Sequence, residues 1–239
     1  MASEQAIRLS MPYQAQSRGE HVAAEDRRTV LTIIALLITM GCAGLLLSKV
    51  RSELESWGHF LFYEIVWWAL IVLLLSYIRF VERRPLTSIG FCKLGIWNIL
   101  IGIVGGIVLL ACLAGIYFVL FPALHFKEDP QVTQVMNQML AKPYWWRLTL
   151  IFRGAIAEEI LFRGYAIERL RELTGSLSIA GILSCTVFAL EHLGVWGWGH
   201  LVIAGYAGAI LTLLYIWRRN LWVNMIAHFV PDAIGLLLS

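Results

Sequence analysis

Runs of roughly 20 apolar residues recur along almost the whole chain, a length that crosses the hydrocarbon core of a bilayer as a helix. No other feature restricts the fold as much. In lipid, every backbone amide and carbonyl has to be paired within the protein, so only helices and closed barrels span a membrane. These runs are too long and too continuous for barrel strands. Composition agrees: 59% of the 239 residues are apolar and 15% are charged, where soluble chains carry roughly a quarter charged. The expectation is an all-α, polytopic membrane helical bundle of seven to eight transmembrane helices.

Taken in order, residues 1–29 form a polar segment ending in Arg27 and Arg28, and residues 30–239 form a single transmembrane domain. The apolar run that begins near Val30 lies too far in and runs on too long for a cleaved signal peptide. Spans are expected at about 30–50, 57–80, 94–121, 147–171, 176–193, 199–217 and 221–239. Between the third and fourth, Val132, Val135, Met136, Met139 and Leu140 recur at helical spacing beside Gln131, Gln134, Asn137 and Gln138. That pattern predicts a short amphipathic helix at the interface, and an extra half-span there would bring the count to eight. Gly102, Gly105, Gly106 and Gly115 in the third span let helices approach closely. Arginines and lysines collect on one side if the N-terminus is cytoplasmic, which makes a multi-pass protein of the cell membrane the expected location. The net charge of +3 is small, and no basic stripe of the kind nucleic acid requires is present. The four cysteines are far apart and form no CxxC pair, so they read as small packing residues rather than a zinc or dithiol site.

The fourth span is unusual. Its sequence AIAEEILFRGY places Glu158, Glu159 and Arg163 inside an apolar run, and ionisable groups at membrane depth are costly enough to suggest function. Glu159 and Arg163, four apart, share a helix face and can pair. Glu158 is rotated by about 100° from Glu159 in an α-helix, so it requires a neighbour from another helix. Later spans supply candidates. His192 follows Phe188 by four residues, and His228 precedes Asp232 by four, with Pro231 between them. A proline inside a helix removes one backbone bond, which would free a carbonyl near Ala227. Singly, each group has a structural explanation: a packed histidine, a buried Glu–Arg bridge, an Asp capping a broken helix. Together, Glu158, His192, His228 and Asp232 come from three helices, and four unrelated packing solutions at that depth would be a costly coincidence. His21, His59, His125 and His200 lie near span ends or loops and read as structural. Glu191 neighbours His192, but helical geometry turns it away; Glu64 has no assigned role.

A glutamate and histidines facing one cavity can activate water as a general base, with His228 and Asp232 stabilising a tetrahedral oxyanion. The same four side chains could instead hold a divalent metal such as zinc, whose bound water would be the nucleophile. Both chemistries fit this pattern. A serine or cysteine nucleophile does not, because no GxSxG motif occurs and no Cys adjoins a His. Two other function classes compete. One is a scaffold or bacteriocin self-immunity protein that binds a peptide through the same cavity. The other is an ion-coupled transporter, against which the lack of an internal repeat counts.

The pattern resembles the CPBP intramembrane proteases (CAAX proteases and bacteriocin-processing enzymes, or Abi family), relatives of the type II CAAX prenyl endopeptidase. Their EExxxR motif is matched by Glu158, Glu159 and Arg163, FxxxH by Phe188 and His192, and HxxxN/D by His228 and Asp232. The resemblance covers about residues 145–239. It implies an endopeptidase cutting membrane-associated peptides or proteins in or beside the bilayer. Glu158 and His192 would activate water, His228 and Asp232 would face the carbonyl oxygen, and Glu159, Arg163 and Phe188 would support them. Many relatives carry Asn where this chain has Asp232. An Asp donates a hydrogen bond only when protonated, and otherwise orients His228 or a metal.

Overall fold

The computed structural model describes residues 13–126 and 130–238, and the regular secondary structure among them is helical. The chain divides into two compact units, residues 1–38 and 39–239. Of the first, residues 13–38 are helical; the opening twelve residues of the expected polar segment lie outside the described ones. The functional groups all lie in the second unit.

Among the described residues, five helices are long and apolar enough to cross a membrane: Thr29–Leu47, Trp57–Val81, Ile96–Ala123, Leu177–Gly194 and Trp196–Arg218. Two further helices complete the series read from sequence. One is a rod built from Tyr144–Arg153, Gly154–Ala166 and Ile167–Thr174, which carries the glutamates. The other is the last helix, Leu221–Leu237, apolar but only 17 residues long. The protein is therefore an all-α membrane protein in which five spans of the expected seven or eight meet the length and composition of a crossing.

Three details of backbone geometry position the site. The glutamate rod winds as a π-helix over all of Gly154–Ala166, not as the α-helix expected from sequence. A π-helix closes i→i+5 bonds and is rare outside single turns, frequently at functional sites. Next, the helix Leu177–Arg218 breaks at Gly197, whose φ of 70° and ψ of −175° fall in a region open to glycine almost alone. Finally, the last helix packs along the glycine-rich span through Gly102 and Gly106. A β-carbon at Gly102 would stand 3.0 Å from the Val223 carbonyl oxygen, and one at Gly106 would stand 2.9 Å from that of Ala227. Pro231 deprives the Ala227 carbonyl of its helical partner, and the close approach of Gly106 is what the missing side chain permits.

The helix Pro130–Leu140 forms as its amphipathic pattern predicts. It does not simply lie on the bilayer interface. Val135 and Met139 are buried with Val50, Leu54, Phe60 and Trp146, so its apolar stripe packs on protein. The cysteines are free; Cys42 and Cys185 are half-buried, but Cys92 and Cys112 are exposed rather than packed.

Candidate active site

The two adjacent glutamates have different environments. Glu159 is fully buried. Its Oε1 accepts from Arg163 Nη1 at 2.9 Å and from His228 Nδ1 at 2.8 Å, and its Oε2 accepts from Asn224 Nδ2 at 3.1 Å. A carboxylate paired with a guanidinium accepts only, so the His228 proton sits on Nδ1 and Nε2 is turned the other way. Arg163 spreads its charge further: Nη2 donates to the Gly208 carbonyl at 3.3 Å, and its guanidinium carbon lies 4.3 Å from the centre of the Phe188 ring. A buried charge requires this degree of pairing.

Glu158 makes none of these contacts. Its Oε2 is 4.0 Å from His228 Nε2, and its side chain keeps 11% exposure. Asp232 Oδ2 reaches the same nitrogen at 3.5 Å. Both carboxyl groups converge over Gly154, where a β-carbon would stand 3.8 Å from Glu158 Oε1 and 3.9 Å from Asp232 Oδ2. His192 donates from Nδ1 to the carbonyl of Phe188 at 2.7 Å. A carbonyl only accepts, which fixes the neutral tautomer with its lone pair on Nε2. Phe188 also packs edge-on against Phe162 at 5.1 Å and lies 4.6 Å from the His192 ring. It thereby links the Arg163 cluster to His192.

Glu158, His192, His228 and Asp232 line one cavity of about 260 Å³. Apolar side chains, among them Trp67, Met136, Met139 and Ile203, form most of the remaining wall. The four residues expected from three helices thus meet in one place. His228, Pro231 and Asp232 line the cavity from adjacent turns of the last helix.

Three contributions were missed in the sequence. Asn224 bridges Glu159 and the Leu211 carbonyl, 2.7 Å away; its position one helical turn before His228, on the same face, was the available signal. His200 lines the cavity and its ring lies 5.9 Å from that of His192, at 22° to it. Arg153, also on the cavity wall, pairs with Glu53 at 2.9 Å and with Glu64 at 3.0 Å, which gives Glu64 its role as a partner. Glu191 is turned away from the cavity, as helical geometry predicts, with its side chain against Gly44.

Among the described residues, no three His, Cys, Asp or Glu side chains are arranged to hold a metal ion. His228 holds Nδ1 on Glu159 and His192 holds Nδ1 on Phe188, which leaves Nε2 as the other donor or acceptor atom of each ring. The steps derived below are written for the side chains.

Comparison with known proteins bears on the same stretch of chain. Residues 140–234 match the family described as type II CAAX prenyl endopeptidase Rce1-like. This segment is Rce1-like. The match holds all three motifs, the π-helical glutamates and the last-helix pair, in agreement with the resemblance to CPBP proteases. The similarity is to type II CAAX prenyl endopeptidases, and the long apolar helices of the chain make this an integral membrane protein. Among curated proteins, the uncharacterized protein YpbD of Bacillus subtilis (strain 168) is 32% identical over 114 residues, which is 48% of this chain and 54% of that protein. The chain thus matches about half the length of that relative. No solved structure matches it.

Proposed function

We propose that this protein is an intramembrane endopeptidase that hydrolyses peptide bonds of membrane-associated peptides or proteins in or beside the bilayer. One observation carries the reading: Glu158, His192, His228 and Asp232, from three helices, line one largely apolar cavity.

In this reading water sits between Glu158 and His192. Glu158 makes no hydrogen bond among the described residues and is free to take a proton from the water. The lone pair of His192 Nε2, set by the bond from Nδ1 to Phe188, accepts the other and orients the attacking oxygen. A positioned general base of this kind contributes about 10²–10⁴-fold. As the water oxygen adds to the scissile carbonyl, charge moves to the carbonyl oxygen. His228 meets it as the imidazolium, protonated at Nε2 as well as Nδ1, so that Nε2 donates to the oxyanion. Glu159, hydrogen-bonded behind the ring at 2.8 Å, stabilises the positive charge on the imidazole, much as a buried carboxylate does for the histidine of a catalytic triad. Asp232 Oδ2, 3.5 Å from Nε2, holds the ring in that orientation. This gives Asp232 an orienting role, in place of the direct donor role open to an Asn. Glu158 then passes its proton to the leaving amine, and the carboxylic acid product departs.

The Lys and Arg distribution supports an N-terminus on the cytoplasmic side of the cell membrane. The test compares protein termini by mass spectrometry in cells carrying the native chain or Glu158→Gln. Termini found only with the native chain, clustered near membrane boundaries, are the expected result and name the substrates. Identical termini at equal protein levels would overturn the protease reading in favour of a peptide-binding scaffold.

A further inference from the structure

His200 belongs to no motif, yet the backbone is bent to bring it into the cavity. In an uninterrupted helix, residues 192 and 200 would be separated by about 12 Å along the axis. Instead their ring centres lie 5.9 Å apart, because the helix breaks at Gly197 in a conformation that other residues rarely adopt. Trp196, on the near side of the break, stacks on His200 at 4.9 Å and 25°. Both rings line the cavity with Glu158. Unlike His192 and His228, whose Nδ1 atoms are taken by Phe188 and Glu159, His200 makes no hydrogen bond and no ion pair among the described residues. The indole Nε1 of Trp67, on the same cavity wall, is also buried without an acceptor.

We propose that His200 is a substrate-binding residue that pairs with the peptide backbone next to the scissile bond. The inference rests on the protease reading and deepens it. A membrane-embedded substrate is helical until the segment to be cut unwinds. Unwinding frees N–H and C=O groups, and each costs several kcal/mol if left unpaired in an apolar surrounding. A neutral imidazole offers one donor and one acceptor on opposite sides of a flat ring. Beside the apolar side chains Trp196, Ile203 and Ala204 of the same wall, His200 supplies both to an unwound backbone and gives nothing to an intact helix, whose groups are already paired. The ligand class is thus a locally unwound apolar peptide, and the bonds at His200 make the site selective for it.

The test uses two synthetic 20-residue apolar peptides, one helical throughout and one with a central Gly-Pro break, added to full-length protein in detergent. Binding is measured in the Glu158→Gln background, where cleavage is blocked, and cleavage is measured in the native background. His200→Phe keeps the stacked ring and removes both hydrogen-bonding atoms; His200→Gln keeps a donor and an acceptor and loses the ring. The native protein should prefer the broken peptide. His200→Phe should lose about tenfold in affinity for it, His200→Gln should hold within about threefold, and neither should change affinity for the helical peptide; these sizes correspond to about one hydrogen bond. The pH profile of kcat/KM should keep its shape in His200→Gln, because the role requires no proton transfer. Equal binding of the broken peptide by the native and Phe proteins would overturn the proposal, as would loss of binding in both variants alike, which marks a packing role. Binding that follows the expected order without cleavage by the native chain would remove the protease reading and leave His200 as a peptide-binding residue. Failure of the native protein to bind either peptide would overturn both.

Discussion

Nδ1 of His228 donates to Oε1 of Glu159 at 2.8 Å, and the same oxygen accepts from Arg163 at 2.9 Å. The second glutamate of the pair therefore works behind the cavity, and the first works inside it. The two should respond differently to the same near-isosteric change. Glu159→Gln leaves the Arg163 guanidinium buried without a counter-charge, and breaking one side of such a pair costs about 3–5 kcal/mol. Glu158→Gln removes a group that pairs with nothing tightly. Expected in detergent are a large fall in unfolding temperature for Glu159→Gln and a nearly unchanged one for Glu158→Gln. Cleavage should fall by about 10²–10⁴-fold in Glu158→Gln. Equal stability losses in the two proteins would contradict the division of labour.

Arg153 anchors the glutamate rod at the point where its π-helical stretch begins, between Glu53 of the short helix Val50–Glu55 and Glu64 of the second span. Its guanidinium also lies 5.6 Å from the centre of the Trp67 ring. Arg153→Met strands two buried carboxylates. A triple change to Arg153→Met, Glu53→Gln and Glu64→Gln strands none. The single variant should be the less stable by about 3–5 kcal/mol, read from thermal or denaturant unfolding. A triple variant no more stable than Arg153→Met would show that the trio is not coupled.

What the sequence made legible in this site was whatever four-residue spacing on one helix could carry. The Glu159–Arg163 pair, the His228–Asp232 pair and the Phe188–His192 step are all local, and each is realised in a contact of 2.7–3.5 Å. The need of Glu158 for a neighbour on another helix was also legible, because an unpaired carboxyl at membrane depth has to be met by something. The rest was set by tertiary geometry. His200 looked like a span-end histidine because it stands at the start of the expected span 199–217, and nothing in the spacing showed that the turn at Gly197 would set its ring beside that of His192. Arg153 went unread, since its partners lie about 90 and 100 positions upstream. The π-helical winding left no mark in the spacing, because residues four apart still meet along the same face.

Gly102 and Gly106 should prove less replaceable than Gly105, although all three lie in one glycine-rich run. A β-carbon at Gly106 would stand 2.6 Å from Val230 Cβ and 2.9 Å from the Ala227 carbonyl oxygen, and one at Gly102 would meet Ile226 Cβ at 2.8 Å. At Gly105 the nearest atom is the end of the Leu214 side chain at 3.1 Å, which can turn aside. Overpacking of this kind costs about 1–3 kcal/mol. It would also push the last helix, and with it His228, off its place in the cavity wall. Gly106→Ala should therefore lose stability and cleavage together, while Gly105→Ala keeps both. The measurement is unfolding temperature alongside the yield of product termini.

Gly154 offers a way to disable the site without touching a polar group. It lines the cavity where Glu158 and Asp232 converge, and a β-carbon there would keep ordinary contact distances of 3.8 and 3.9 Å to their oxygens. Gly154→Ala should fold as well as the native chain or better, because alanine is favoured over glycine inside a helix by about 1 kcal/mol. Its cleavage should stay close to native. Gly154→Leu projects a branched side chain into the space that water and the scissile carbonyl would share, between carboxyl groups that remain in place. Displacing reacting atoms by an ångström costs about 100-fold in rate, so cleavage should fall by at least that order while the Glu159–Arg163–His228 cluster stays intact. Product termini report the first effect and unfolding temperature the second. Native-like cleavage by Gly154→Leu would mean that the reacting carbonyl is bound elsewhere than over Gly154, and the water-activating role of Glu158 would fall with it.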